Sequence, residues 1–130
     1  QFQAAVRLPS YRDTIRTLLA QGVCHARDQK WAEAEAVLTR AYEMDTSNPL
    51  VGYNLADVLY RRGELERARF FVRRINQAEG VSNAQSLWLA TRIENRLGNR
   101  AGAVALGSQL RARFPQSPEA TAYERGNFNE

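Results

Sequence analysis

Between residues 51 and 75 the apolar positions fall at helical spacing twice over. Val51, Leu55, Val58 and Leu59 mark one stripe, and Leu65, Ala68, Phe71, Val72 and Ile75 mark a second. The two stripes are separated by Arg61-Arg62-Gly63, where the glycine supplies a C-terminal stop signal. The pattern predicts two amphipathic helices joined by a tight turn. No segment of the chain alternates apolar and polar residues with period two, so no strands are expected.

The same unit recurs. The segments "QKWAEAEAVLTRAYEMDTSNP", "GELERARFFVRRINQAEGVSN" and "GNRAGAVALGSQLRARFPQSP" align with Ala34, Ala68 and Ala103 in register, 34 and then 35 residues apart. Gln29, Gly63 and Gly98 precede these alanines by five positions, and Leu38, Val72 and Gly107 follow by four. Further along come Ala41, Ile75 and Leu110, then Thr46, Gly80 and Pro115. Upstream, the small residues Gly22 and Ala56 share a position with Thr91. Small side chains at fixed positions let two helices of a pair approach closely, which accounts for the alanines.

The pattern resembles the tetratricopeptide repeat, a helix-turn-helix unit that stacks into a superhelix, and implies an all-α tetratricopeptide-repeat α-solenoid of stacked antiparallel helix pairs. The expected organisation is a repeat at 15–48, a second at 49–82 and a third at 83–117, with Asn83 inserted. Residues 118–130 read as a polar C-terminal tail or short cap. Ala4 and Pro9 keep the five-residue spacing seen at the ends of the later repeats, so 1–14 reads as the tail of a preceding repeat plus a link, with at least one further repeat expected upstream. Departures from the pattern are plain: Gln29 stands where the turn usually has glycine, and Gly107 stands where a large apolar residue is usual.

The chain also resembles, over essentially its whole length, the C-terminal half of the PilF/PilW family of type IV pilus biogenesis proteins. The residues that carry this are "RLPSYRDTIRTLLAQGVC", "NPLVGYNLADVLYRRGELERARFFVRR" and "SLWLATRIENRLGNRAGAVALGSQLRARFPQSPEA". The resemblance implies a non-enzymatic protein-interaction scaffold of the pilotin kind, which supports localisation and assembly of the outer-membrane secretin. It further implies a protein partner (the secretin subunit) and a place at the periplasmic face of the outer membrane. Membrane attachment would come only through an N-terminal lipid anchor outside this sequence. The alternative is a generic bacterial repeat adaptor that binds an unrelated peptide or protein.

Composition adds bounds to this picture. The 130 residues carry a net charge of +4 and one lysine, Lys30, so the basic character is arginine. That charge permits nucleic-acid binding but does not demand it, and no nucleic-acid partner is expected. The basic run Arg61, Arg62, Arg67, Arg69, Arg73 and Arg74 is interleaved with Glu64 and Glu66 and reads as solvated helix surface. No phosphate-binding glycine loop and no isolated carboxylate pair appear, so no catalytic residues and no cofactor are expected.

The single cysteine and single histidine, Cys24 and His25, are adjacent. Neighbouring helical residues point about a hundred degrees apart, a poor arrangement for sharing a proton or a metal. They read as structural positions, with Cys24 a small apolar filler and His25 half-buried beside Trp31. No metal site is expected. The candidate binding surface is the concave face lined by the first helix of each pair. Tyr53, Asp57, Tyr60 and Arg61 represent the second repeat there, and Trp88, Arg92 and Arg96 the third. Rings interleaved with guanidinium groups suit recognition of a peptide segment that carries carboxylates.

Overall fold

The computed structural model describes residues 10–78 and 80–128. Seven helices occupy them and no strand occurs among the described residues: α1 (Tyr11–Arg27), α2 (Trp31–Met44), α3 (Pro49–Arg61), α4 (Leu65–Gln77), α5 (Ala84–Arg96), α6 (Arg100–Arg113) and α7 (Pro118–Glu124). The chain is all-α. α1 packs on α2, α3 on α4 and α5 on α6, while α2 against α3 and α4 against α5 join the pairs into a stack; α7 closes on α5 and α6.

Local chemistry sets these helices by two devices. Every first helix begins at a side-chain cap. Ser10 accepts from the Asp13 N–H, Asn48 from the N–H groups of Leu50 and Val51, and Asn83 forms a reciprocal box with Ser86. Pro49 then occupies the first turn of α3, where its fixed φ is already helical. The second helices α2 and α4 begin at Lys30 and Glu64, which make no side-chain cap. Their start is enforced by the turn before them. Gln29, Gly63 and Gly98 all take a positive φ, at 61°, 81° and 80°, reversing the chain within three residues.

Gln29 therefore performs the glycine's geometry with a side chain that disfavours it. The Ser10 cap also starts α1 four residues ahead of the expected repeat boundary at 15, so Tyr11–Thr14 belong to the helix and not to a link. The Tyr11 hydroxyl, carried on this extra turn, donates to the Met44 carbonyl at the end of α2. The expected remnant of a preceding repeat, at residues 1–8, lies outside the described residues.

Packing follows the small residues. A Cβ placed on Gly22 would meet Leu38 Cγ at 2.4 Å, so α1 and α2 touch there without any side chain from α1. In the second pair the same two positions hold Ala56 and Val72, both fully buried. In the third pair they hold Thr91 and Gly107, and a Cβ on Gly107 would lie 2.0 Å from the Tyr123 ring carbon. The absent large residue at 107 is thus replaced by Tyr123 from α7, which enters the space from outside the pair. Leu87, Trp88, Leu110, Ala120 and Ala122 complete that end of the core, and of the two expectations for the C-terminal segment, tail or short cap, residues 118–128 form the cap.

The basic run of α3 and α4 ties the repeats together, contrary to its reading as solvated surface alone. Arg62 and Arg67 hold the Glu35 carboxylate of α2 at 2.7 and 2.9 Å. Arg69 grips Glu94 of α5 with its Nη2 and Nε, at 2.6 and 2.9 Å, and Arg73 approaches the same carboxylate at 3.6 Å. The Glu94 side chain is only 4% exposed. Burial pushes its carboxyl up, but hydrogen bonds from Arg69 and Asn99, with the charges of Arg69 and Arg73, outweigh burial and hold it below the usual 4.5.

Two outcomes follow from this geometry. Gln29→Gly removes a left-handed side chain and should raise stability by about 1 kcal/mol in urea unfolding, although glycine also loosens the unfolded chain; a loss would refute the strain at Gln29. Glu94 binds its proton less tightly folded than unfolded. Its contribution is therefore complete above pH 4.5 and is lost as pH falls through the lower folded value. Glu94→Gln should cost about 2 kcal/mol at neutral pH, with the gap to wild type narrowing below pH 4.5. A gap independent of pH would contradict the assignment.

Candidate functional site

The first helices α3 and α5 bring the seven expected site residues into one cluster. Tyr60, near the end of α3, lies beneath two guanidinium groups of α5, with Arg92 5.2 Å and Arg96 5.3 Å from its ring centroid. These distances suit cation–π attraction. Arg92 also stands 5.5 Å from the Trp88 ring centroid, one turn earlier on the same helix. Asp57 pairs with Arg61 at 3.4 Å along α3, and both lie in the electrostatic field of Arg92. Tyr53 is half-buried at the beginning of this row.

Burial divides the seven. Tyr60, Trp88 and Arg92 are 6%, 5% and 4% exposed, so the rings form a floor and do not project as anchors. Arg61 and Arg96 are exposed, and Asp57 is half-buried. This corrects the picture of Tyr60 as a groove-facing ring: its truncation would open a hole in the central core, where Tyr60 sits with Leu59, Val72 and Ile93.

Burial pushes the Arg92 guanidinium below its ordinary value, opposed by the nearby Tyr60, Asp57 and Tyr53. An arginine so placed still keeps its charge at ordinary pH. Burial also pushes the Tyr53 hydroxyl up, reinforced by the Asp57 carboxylate. The result is a surface whose outward chemistry is guanidinium, on a bed of aromatic rings that fixes its direction.

Phe128, in the segment expected to be a polar tail or short cap, stacks on Trp88 at 5.5 Å with 25° between the planes, and meets Tyr123 edge-on at 6.2 Å. One signal pointed to it. Phe128 is a lone aromatic just beyond Gly126, which takes a positive φ of 69° and turns the chain back after α7. The first-helix surface continues on α1 as Arg16, Val23 and Arg27, all exposed.

Cys24 is exposed, against the expectation of a core filler. The reason is its place in the stack. The equivalent positions of the later pairs are Val58 and Ile93, at 1% and 0% exposure. They share the central core with residues of the second helix of the preceding pair: Ala34 and Leu38 for Val58, Ala68 and Val72 for Ile93. For Cys24 the corresponding neighbour would precede α1, outside the described residues. His25 is half-buried. Among the described residues no helix is long and apolar enough to cross a membrane.

Comparison with known proteins places this geometry. The chain is 27% identical over 114 residues to the type IV pilus assembly protein PilF of Pseudomonas aeruginosa, covering 88% of this chain and 45% of that protein. It superposes on the solved structure of P. aeruginosa PilF with a TM-score of 0.73 at 27% identity, over 86% of this chain and 50% of the other. On PilW, a widely conserved type IV pilus biogenesis factor, the TM-score is 0.79 at 29% identity, over 94% of this chain and 56% of the other. The chain thus spans about half the length of the pilus proteins it matches. P. aeruginosa PcrH, at 19% identity and a TM-score of 0.74 over 89% of each chain, shares the fold. The profile of the tetratricopeptide repeat matches residues 25–90, half of the sequence, and the chain belongs to the tetratricopeptide repeat family.

Proposed function

We propose that this chain is a non-enzymatic protein-interaction scaffold of the pilotin kind. In this reading it supports localisation and assembly of the outer-membrane secretin in type IV pilus biogenesis, from the periplasmic face of the outer membrane. The likeness to PilF and PilW supports the pilus setting. The observation that carries the binding reading is the pair of guanidinium groups, Arg92 and Arg96, laid over the buried Tyr60 ring beside exposed Arg61. Held charge of one sign on a rigid helical face suits an acidic segment of a partner, and it costs little ordering on binding. Asp57 trims this charge through Arg61 and orients it.

The test uses the natural full-length protein and the secretin subunit. Arg61→Gln with Arg96→Gln changes two exposed side chains, so the helical melt should stay near wild type. Binding at low salt should weaken about tenfold, with the difference shrinking as salt rises. Wild-type affinity in the double variant would place secretin recognition elsewhere, and binding of an unrelated acidic peptide without the secretin would favour a generic adaptor.

A further inference from the structure

A second recess lies between the second helices, and it shares no residue with the Tyr60 cluster. Its volume is about 170 Å³, the scale of one large apolar side chain. Pro49, Phe71, Ile75, Ala78 and Val81 give it apolar walls drawn from α3, α4 and the linker that follows α4, while Thr46 and Ser47 line it from the linker after α2. Gly52 forms part of the lining, where a Cβ would only just touch Ile75, at 3.4 Å.

Tyr42, Phe71 and Arg74 line this recess, and Phe70 packs on Phe71 outside it. Tyr42 meets Phe71 edge-on at 4.8 Å, and Phe71 meets Phe70 edge-on at 5.1 Å. Arg74 lies 6.0 Å from the Tyr42 centroid and 5.8 Å from that of Phe70. Phe70 is 54% exposed, unusual for a ring this size on a polar helix face. The other α4 arginines are committed to carboxylates: Arg67 to Glu35, and Arg69 and Arg73 to Glu94. Arg74 alone among them has no carboxylate in ion-pairing reach among the described residues, and its charge is held over two rings. The Tyr42 hydroxyl in the wall of the recess likewise lacks a hydrogen-bond partner among the described residues.

We propose that this recess is a second recognition site, taking an apolar or aromatic side chain of a partner protein whose neighbouring residue carries a carboxylate. The apolar walls accept the side chain, the Phe71 ring flanks it, and Arg74 pairs with the adjacent acid. A concave pocket for a single side chain with a single unspent cation fits a protein segment. An anionic lipid surface would call for several free cations around a protruding apolar patch, and Arg67, Arg69 and Arg73 are already paired.

The probe is the capped peptide acetyl-Gly-Phe-Asp-Gly-amide, titrated to millimolar concentration into the isotope-labelled protein and followed by amide chemical shifts. Shifts should cluster at Ser47, Gly52 and Val81. Arg74→Gln in the protein, or Asn for Asp in the peptide, should weaken binding about tenfold, while Arg96→Gln leaves it unchanged. Because the peptide substitution needs no protein variant, loss of folding cannot mimic the result. Absence of shifts, shifts centred on Tyr60 and Arg96, equal binding of the Asn peptide, or Arg74-dependent binding to phosphatidylglycerol vesicles without peptide binding would each overturn the proposal. None of these outcomes depends on whether the Arg61 and Arg96 face binds the secretin.

Discussion

How closely the two helices of each pair can approach decides most of what this chain does. Two positions set that distance, one on the first helix and one on the second, and their sizes vary inversely along the stack: glycine with leucine, alanine with valine, threonine with glycine. The first two pairs keep their combined volume roughly constant while changing which helix supplies it. Tightly packed interiors tolerate such exchanges well when total volume is kept. In the third pair the two residues together leave room that Tyr123 fills, so the same rule recruits α7 and makes the end of the stack a cap.

With the pairs fixed, relations between pairs are set by charge. Glu35 and Glu94 each sit where two arginines of the middle repeat converge, one reaching backward to α2 and the other forward to α5. The middle repeat thereby spends most of its basic residues on its neighbours. What does not reach a neighbouring pair is informative: Arg61, paired to Asp57 within its own helix, lies with Arg96 of the third repeat on the first-helix face, and Arg74 stands at the recess between the second helices. The rings beneath them, Tyr60 for one face and Tyr42 with Phe70 for the other, hold those charges in place.

The sequence made the helix pairs legible because helical spacing and turn glycines are local signals. It even flagged the two departures, Gln29 and Gly107, that the structure resolves as a positive φ and a seat for Tyr123. That the seven expected site residues lie together was legible, since i, i+3 and i+4 positions on first helices must share a face. Their burial was not, because nothing in Tyr60 or Trp88 announces that Arg92 and Phe128 will cover them. Cys24 was misplaced for the opposite reason: its position is buried only where a preceding pair stands against it, as Val58 and Ile93 demonstrate. The hydrogen-bonded ion pairs to Glu35 and Glu94 span 25 to 32 residues and depend on the angle between pairs, which no local pattern encodes.

The most direct measurement of the size-matching rule is a double-mutant cycle in the first pair, read by urea unfolding. Gly22→Ala should be destabilising despite alanine's gain of about 1 kcal/mol in helix propensity, because its Cβ meets Leu38 at 2.4 Å. Leu38→Val should cost about 1 kcal/mol through the space it vacates. Together they reproduce the alanine and valine of the second pair, and the double variant should recover at least about 1 kcal/mol relative to the sum of the single effects. Strict additivity, with the double variant as unstable as the two losses combined, would contradict the account.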